Sequence, residues 1–281
     1  MKQVIHLDDV CVEYAIHGHA PKKVLDHLDL SILEGQFVAV CGQTGCGKST
    51  MLRMILGAER PTSGRILIDG RELARPDRHR GYVPQKYSLF PDKTVLDNIT
   101  FGPEMAEFGL WGRLKPAFRR RRAEMRQTAF GYLRQMGLQD SDSGKYPDQL
   151  SGGMQQRVAI AQALIMEPRI LLMDEAFSAL DAATRTGMQR LVRTVWRETG
   201  TTILFVTHNI AEAIVLGTRV IVLGKESIES SARVTFDMEI PDSIRESSGY
   251  PRRDELDRLT KQIEDAAMGG RHELEMAEFS G

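Results

Sequence analysis

Short apolar runs set off by glycine, alternating with stretches of helical period, organise most of this 281-residue chain. The runs Phe37-Val38-Ala39-Val40-Cys41, Ile170-Leu171-Leu172-Met173 and Thr202-Ile203-Leu204-Phe205-Val206-Thr207 are apolar on consecutive positions. They therefore read as strands covered on both faces, as in a parallel sheet. From residue 2 to about 70, strand-like pieces alternate with turns such as Pro61-Thr62-Ser63-Gly64, and Arg65-Ile66-Leu67-Ile68-Asp69-Gly70 reads as a strand with a tight turn. Helical signals dominate residues 94–166. Residues 233–239 alternate like a strand that Pro241 ends. A helix over residues 251–268 would gather Leu256, Leu259, Ile263 and Ala266 or Ala267 on one face. No internal repeat is present. The pattern predicts an α/β protein with a helical region inserted into its core.

The first candidate chemistry follows the strand over residues 37–41. Gly42-Gln43-Thr44-Gly45-Cys46-Gly47-Lys48-Ser49-Thr50 matches G-x-x-x-x-G-K-[ST] with an extra glycine inside. Gly42, Gly45 and Gly47 permit backbone angles that turn successive N–H groups inward as an anion nest. A helix beginning at Gly47-Lys48, continued by the apolar residues 51–56, would present its positive end to phosphate. Lys48 would reach the β and γ phosphates and Ser49 would bind Mg²⁺. About a hundred residues later comes Leu150-Ser151-Gly152-Gly153-Met154-Gln155-Gln156. Here Ser151 can cap a helix, and the bare amides of Gly152 and Gly153 admit an anion. A chain with one nucleotide cradle and a separate phosphate-reading helix start implies two copies facing each other. Asp174 closes the apolar run over residues 170–173, which puts its carboxylate at the C-terminal strand edge, where open α/β sheets bind ligands.

With every motif in order over residues 1–225, the chain resembles the ATP-binding subunit of an ATP-binding cassette (ABC) transporter. The resemblance implies the P-loop NTPase fold of ABC ATPases: a parallel-sheet core, an antiparallel β subdomain and an inserted α-helical subdomain over about residues 94–166. It implies ATP and Mg²⁺ as ligands and a head-to-tail dimer enclosing two ATP. It also makes Asp174 the Mg²⁺-organising acid, Glu175 the general base, Gln85 of Tyr82-Val83-Pro84-Gln85 a contact to Mg²⁺ and water, and His208 a hydrogen-bond partner of the γ phosphate. Asp181, ending Ser178-Ala179-Leu180-Asp181, belongs to the loop that crosses the dimer interface, and it would equally serve as a helix cap. Tyr14 would stack on adenine. Ala176 stands where the family usually has proline, which implies a less rigid loop that still keeps the carboxylate. The stretches over 89–99, 174–181 and 208–213 are similar to importers of the nitrate, sulfonate and taurine group.

Composition narrows the remaining choices. A formal net charge of −1 gives no global pull toward nucleic acid or anionic lipid, and 42% hydrophobic residues suit a substantial core. Three cysteines, Cys11, Cys41 and Cys46, show no metal-ligand spacing and fit a reducing compartment. No signal peptide and no apolar run of about eighteen residues is expected; the resemblance implies a subunit that sits peripherally on the cytoplasmic face of the inner membrane. Its partners there would be transmembrane permease subunits and, indirectly, a solute-binding protein. Phe108, Leu110 and Trp111, followed by the basic run 119–122, suggest a contact surface, and the resemblance implies that residues 108–122 lie at or beside the groove that receives the permease. Residues 226–281 form a C-terminal extension of one short strand and an amphipathic helix. A soluble ABC ATPase of a cytosolic assembly such as iron–sulfur cluster biogenesis shares the nucleotide motifs and is the alternative. Chromosome-type and tandem-cassette ATPases are excluded, because this chain lacks their coiled coil, zinc modules and second phosphate loop.

Overall fold

The computed structural model describes residues 2–15, 17–18, 20–86, 88–109, 116–178, 180–225, 230–241 and 253–267. These fall into two compact units, one made of residues 1–76 and 202–281, the other of residues 77–201.

The first unit holds an antiparallel sheet in the order β2-β1-β4-β5, built from β1 (Gln3–Tyr14), β2 (Lys22–Leu33), β4 (Ser63–Ile68) and β5 (Arg71–Glu72). Its other strands are β3 (Phe37–Gly42), β8 (Thr202–Val206), β9 (Arg219–Gly224) and β10 (Arg233–Glu239), in the order β10-β9-β3-β8. β3 runs parallel to both β8 and β9, while β10 closes that edge antiparallel. The consecutive apolar residues explain the arrangement: β3 and β8 are buried along nearly their whole length, and Phe37 meets Phe205 edge-on at 6.3 Å between ring centres. Helix α1 (Lys48–Leu56) follows β3 directly, and Gly57 ends it in a left-handed conformation, φ 85°, its N–H reaching the carbonyls of Arg53 and Met54. Asn209 caps α6 (Ile210–Leu216) by accepting from the Glu212 N–H. The last described helix, α7 (Arg253–Ala267), packs on α6, β9 and β10. Ile263 is fully buried there, and Leu256, Leu259, Ala266 and Ala267 flank it half-buried.

The second unit pairs β6 (Arg80–Val83) and β7 (Ile170–Asp174) in parallel, with Val83 opposite Met173. Between them in sequence lie α2 (Val95–Phe108), α3 (Pro116–Gln135) and α4 (Gly152–Leu164), which pack on one another. After β7 comes α5 (Ala182–Thr199). The starts of α2, α4 and α5 carry polar caps: the Thr94 hydroxyl accepts from Asp97 N–H, Ser151 from Met154 N–H and Asp181 from Thr184 N–H.

The face over residues 108–122 differs from its reading as exposed aromatics beside a solvated charge run. Phe108 is half-buried and packs edge-on against Phe118, ring centres 5.2 Å apart. Arg122 turns inward to Glu104 at 2.9 Å and Asp97 at 3.0 Å, leaving Arg119, Arg120 and Arg121 exposed. The helical period accounts for this, since four consecutive residues fan around most of a helix's circumference and cannot all face solvent. Leu110 and Trp111 lie outside the described residues.

Candidate functional site

In the first unit the phosphate loop joins β3 to α1. Gly42, Gly45 and Gly47 all have positive φ, at 152°, 77° and 98°. Two of these glycines are also required sterically. A Cβ on Gly42 would lie 2.4 Å from the Leu223 carbonyl oxygen, and one on Gly47 would lie 2.7 Å from Leu25 Cδ2. Gln43, Thr44 and Gly45 are exposed at the turn, whereas Cys46 is buried, so its side chain packs inward. The Lys48 ammonium is drawn into the loop. It donates to the carbonyls of Gly42 at 2.8 Å and Gln43 at 2.9 Å, and the residue is only 5% exposed. Ser49 and Thr50 follow in the first turn of α1, where the helix dipole favours an anion.

His208 reaches the same strand edge because β8 is the parallel neighbour of β3, with Val206 opposite Val40. The exposed imidazole is flanked by residues that the sequence reading did not single out. Thr207 N–H donates to the Val40 carbonyl, and its buried hydroxyl donates to Glu212 Oε2 at 2.8 Å. Thr207 precedes α6 and Glu212 lies five residues on, a spacing that no local pattern marks as a pair.

In the second unit the parallel pairing of β6 and β7 brings Gln85 and Glu175 together. Gln85 Nε2 donates to Glu175 Oε2 at 2.8 Å. Asp174 is buried at 6% exposure and accepts from the Tyr82 hydroxyl at 3.3 Å. Tyr82 was thus a missed partner; its period-two register in β6 is the signal that points to it. Glu175 holds φ 45°, a left-handed conformation that costs a non-glycine residue about 1–3 kcal/mol. The Glu175 carbonyl accepts from Ser178 N–H, and Ala176 is buried beneath the turn. A sharp turn directly after a buried strand presents the carboxylate at the edge.

Ser151 accepts from Met154 N–H at 3.3 Å, which leaves its own O–H able to donate outward. Gln155 of the same motif holds the loop before the helix by donating to the Pro147 and Leu150 carbonyls. Gly153 lies against α5, where a Cβ would come within 2.7 Å of Thr184 Cγ2, one turn from Asp181. Gly152 lies half-buried beside it. The hydroxyl and N–H of Thr184 hold the Asp181 carboxyl below the usual carboxylate range.

The cysteines carry no chemistry of this kind. Burial pushes the Cys41 thiol up to about 12 and raises Cys46, so both remain thiols packed around the loop. Cys11 lies beside Asp26 and His27, with ligand atoms within 4.8 Å of one another. Both Lys23 and Arg233 already ion-pair with Asp26, so this group is an ion-pair node.

A strand, glycine loop and helix, together with an Asp-Glu pair at a parallel strand end and a serine-capped Gly-Gly helix start, define a nucleotide-hydrolysing cassette. Residues 25–178 match the family model described as ABC transporter, and the chain belongs to that family. Within it, this chain is an ATP-binding, ATP-hydrolysing subunit. It is 36% identical to a taurine import ATP-binding protein of Roseobacter denitrificans, over 96% of this chain and 98% of that one. It is 41% identical to an aliphatic sulfonates import ATP-binding protein of Zymomonas mobilis, over 78% and 81%. Among solved structures it is similar to a dimeric, post-hydrolysis ATP-binding cassette bound to ADP and Pi. The TM-score is 0.71 at 32% identity, with 84% of this chain and 99% of that one covered. The P-loop ABC fold follows. Among the described residues no helix is long and apolar enough to cross a membrane.

Proposed function

We propose that this subunit uses ATP hydrolysis to power import of a small solute with an anionic head group, such as taurine, another sulfonate or nitrate. The import direction and solute class are supported by the relatives named for taurine and sulfonate import, which favours import over cytosolic assembly. The observation that carries the reaction is the Gln85 amide holding Glu175, the residue after buried Asp174.

In the proposed reaction, N–H groups over residues 42–50 bind the phosphates of ATP, Lys48 neutralises the β and γ oxygens, and Tyr14 stacks on adenine. The Ser49 hydroxyl, the Asp174 carboxylate and the Gln85 amide oxygen would each supply a hard oxygen donor of the kind that suits Mg²⁺. The ion would neutralise phosphate charge. Glu175 orients and deprotonates the attacking water, and His208 donates to the γ phosphate. Ser151, Gly152, Gly153 and Asp181 serve the nucleotide of a second copy, arranged head to tail. A dimeric cassette as structural neighbour supports that pairing. Closure would then depend on the γ phosphate, contacted from both copies, and hydrolysis would remove the bridge.

The ATPase domain is assigned to residues 1–225, its helical subdomain to about 94–166, and the C-terminal extension to 226–281. A cavity of the second unit lined by Asp92, Lys93, Asp97, Phe101, Phe118 and Arg122 is the proposed seat of a permease segment. On this reading the subunit sits peripherally on the cytoplasmic face of the inner membrane, with a solute-binding protein acting through the permease. Glu175→Gln tests the catalytic assignment. It should retain ATP binding and ATP-dependent dimerisation while turnover falls by about 10²–10⁴-fold, and rapid hydrolysis by this variant would contradict the role.

A further inference from the structure

Tyr14 is the last residue of β1 and is 39% exposed, yet its hydroxyl is tied down. It donates to Glu59 Oε1 and lies 3.4 Å from Thr50 Oγ1. The other Glu59 oxygen accepts from Arg53 Nε at 3.0 Å, and the same guanidinium donates from its terminal nitrogen to Thr50 Oγ1 at 3.1 Å. Four side chains from three segments therefore close a ring of hydrogen bonds. The backbone makes it possible: Gly57 turns the chain at the end of α1, so that Glu59 N–H reaches the Arg53 carbonyl and its carboxylate lies beside Arg53. The end of β1 is fastened to the same segment, since Thr62 N–H donates to the Cys11 carbonyl and Glu13 N–H to the Thr62 hydroxyl.

This ring ties an exposed aromatic face to the helix that begins with Lys48, Ser49 and Thr50. A tyrosine held at one end only by its own backbone would rotate about its side-chain bonds, and fixing it beforehand removes that entropy from binding. Glu59 is the residue best able to do so, because it bridges the phenol and Arg53 with charge-assisted bonds. We infer that Glu59 is a positioning residue for nucleotide recognition: with Arg53 and Thr50 it sets the plane of Tyr14, so the base platform and the phosphate loop act as one rigid element. The inference rests on the reading of Tyr14 as the adenine-stacking residue.

Calorimetric binding of ATP and of inorganic tripolyphosphate, which has no base to stack, tests it on the full chain. Tyr14→Ala should weaken ATP and leave tripolyphosphate unchanged; an unaltered ATP affinity in this variant would refute the stacking reading itself. Given that reading, Glu59→Ala and Tyr14→Phe should each weaken ATP by about three- to ten-fold, with no further loss when combined, because both cut one link. Glu59→Gln, which still accepts a hydrogen bond, should recover part of the loss. The positioning role fails if Tyr14→Phe binds ATP like the parent chain, if the two losses multiply, or if Glu59→Ala weakens tripolyphosphate as much as ATP.

Discussion

Replacing Gly42 by alanine isolates how tightly the phosphate loop is wedged between strands. Gly42 pairs with Leu223 of β9, and the new Cβ would sit 2.4 Å from the Leu223 carbonyl oxygen and 2.8 Å from Cys46 Sγ. Leu223 cannot retreat, because it is fully buried and pairs on its far side with Val234 of β10. Gly45 offers the matched control. It also has positive φ, 77°, but nothing lies within 4 Å of its would-be Cβ. At both positive-φ positions an alanine incurs a conformational cost of about 1–3 kcal/mol. Only Gly42→Ala adds overpacking against backbone, about 1–3 kcal/mol. The steric difference should lower the melting temperature of Gly42→Ala below that of Gly45→Ala by roughly 2–10 °C. Differential scanning calorimetry of both variants without nucleotide measures it. Adding Cys46→Ala should return only part of the loss, since the carbonyl contact remains. Equal melting of the two glycine variants would refute the wedge.

Asn98 is fully buried and stitches the loop before α2: its Nδ2 donates to the carbonyls of Phe90, Lys93 and Thr94, and its Oδ1 accepts from Phe90 N–H. Asn98→Ala should cost about 2–4 kcal/mol and raise amide exchange over residues 90–94; unchanged exchange there would show the stitch to be dispensable. Lys23 and Arg233 hold the Asp26 carboxyl down at about 2, against an ordinary 3.8. Because the folded value lies below the unfolded one, this stabilisation is complete above about pH 4 and is lost as pH falls toward 2. Discounted for the partly exposed partners, it amounts to roughly 1–2 kcal/mol. Asp26→Asn should flatten stability against pH in that window, and an unchanged slope would count against the ion pair. Arg120, with its side chain 91% exposed, tests the permease face: Arg120→Glu combined with Trp111→Ala should reduce co-purification with the membrane subunits several-fold while ATPase activity of the isolated subunit persists. Undiminished assembly would remove residues 108–122 from that interface.

The chain's own order of residues was enough for the elements and for the phosphate loop. β3, the loop and α1 are contiguous, and each is dictated by local chemistry: consecutive apolar residues for a doubly covered strand, glycines for positive φ, and a helix start to meet phosphate. The caps at Ser151 and Asp181 were equally readable, since a cap bonds only two or three residues ahead. Tertiary structure decided whatever depends on partners distant in sequence. That Leu223 leaves Gly42 no room for a side chain, that Tyr82 bonds Asp174, and that Glu59 bonds Tyr14 follow from strand register and from the turn at Gly57. Arg122 looked like its three neighbours until the packing of α3 on α2 gave it Asp97 and Glu104. Local pattern specifies the conformation of a segment, but a side chain's partners are chosen by the packing of segments that the pattern leaves open.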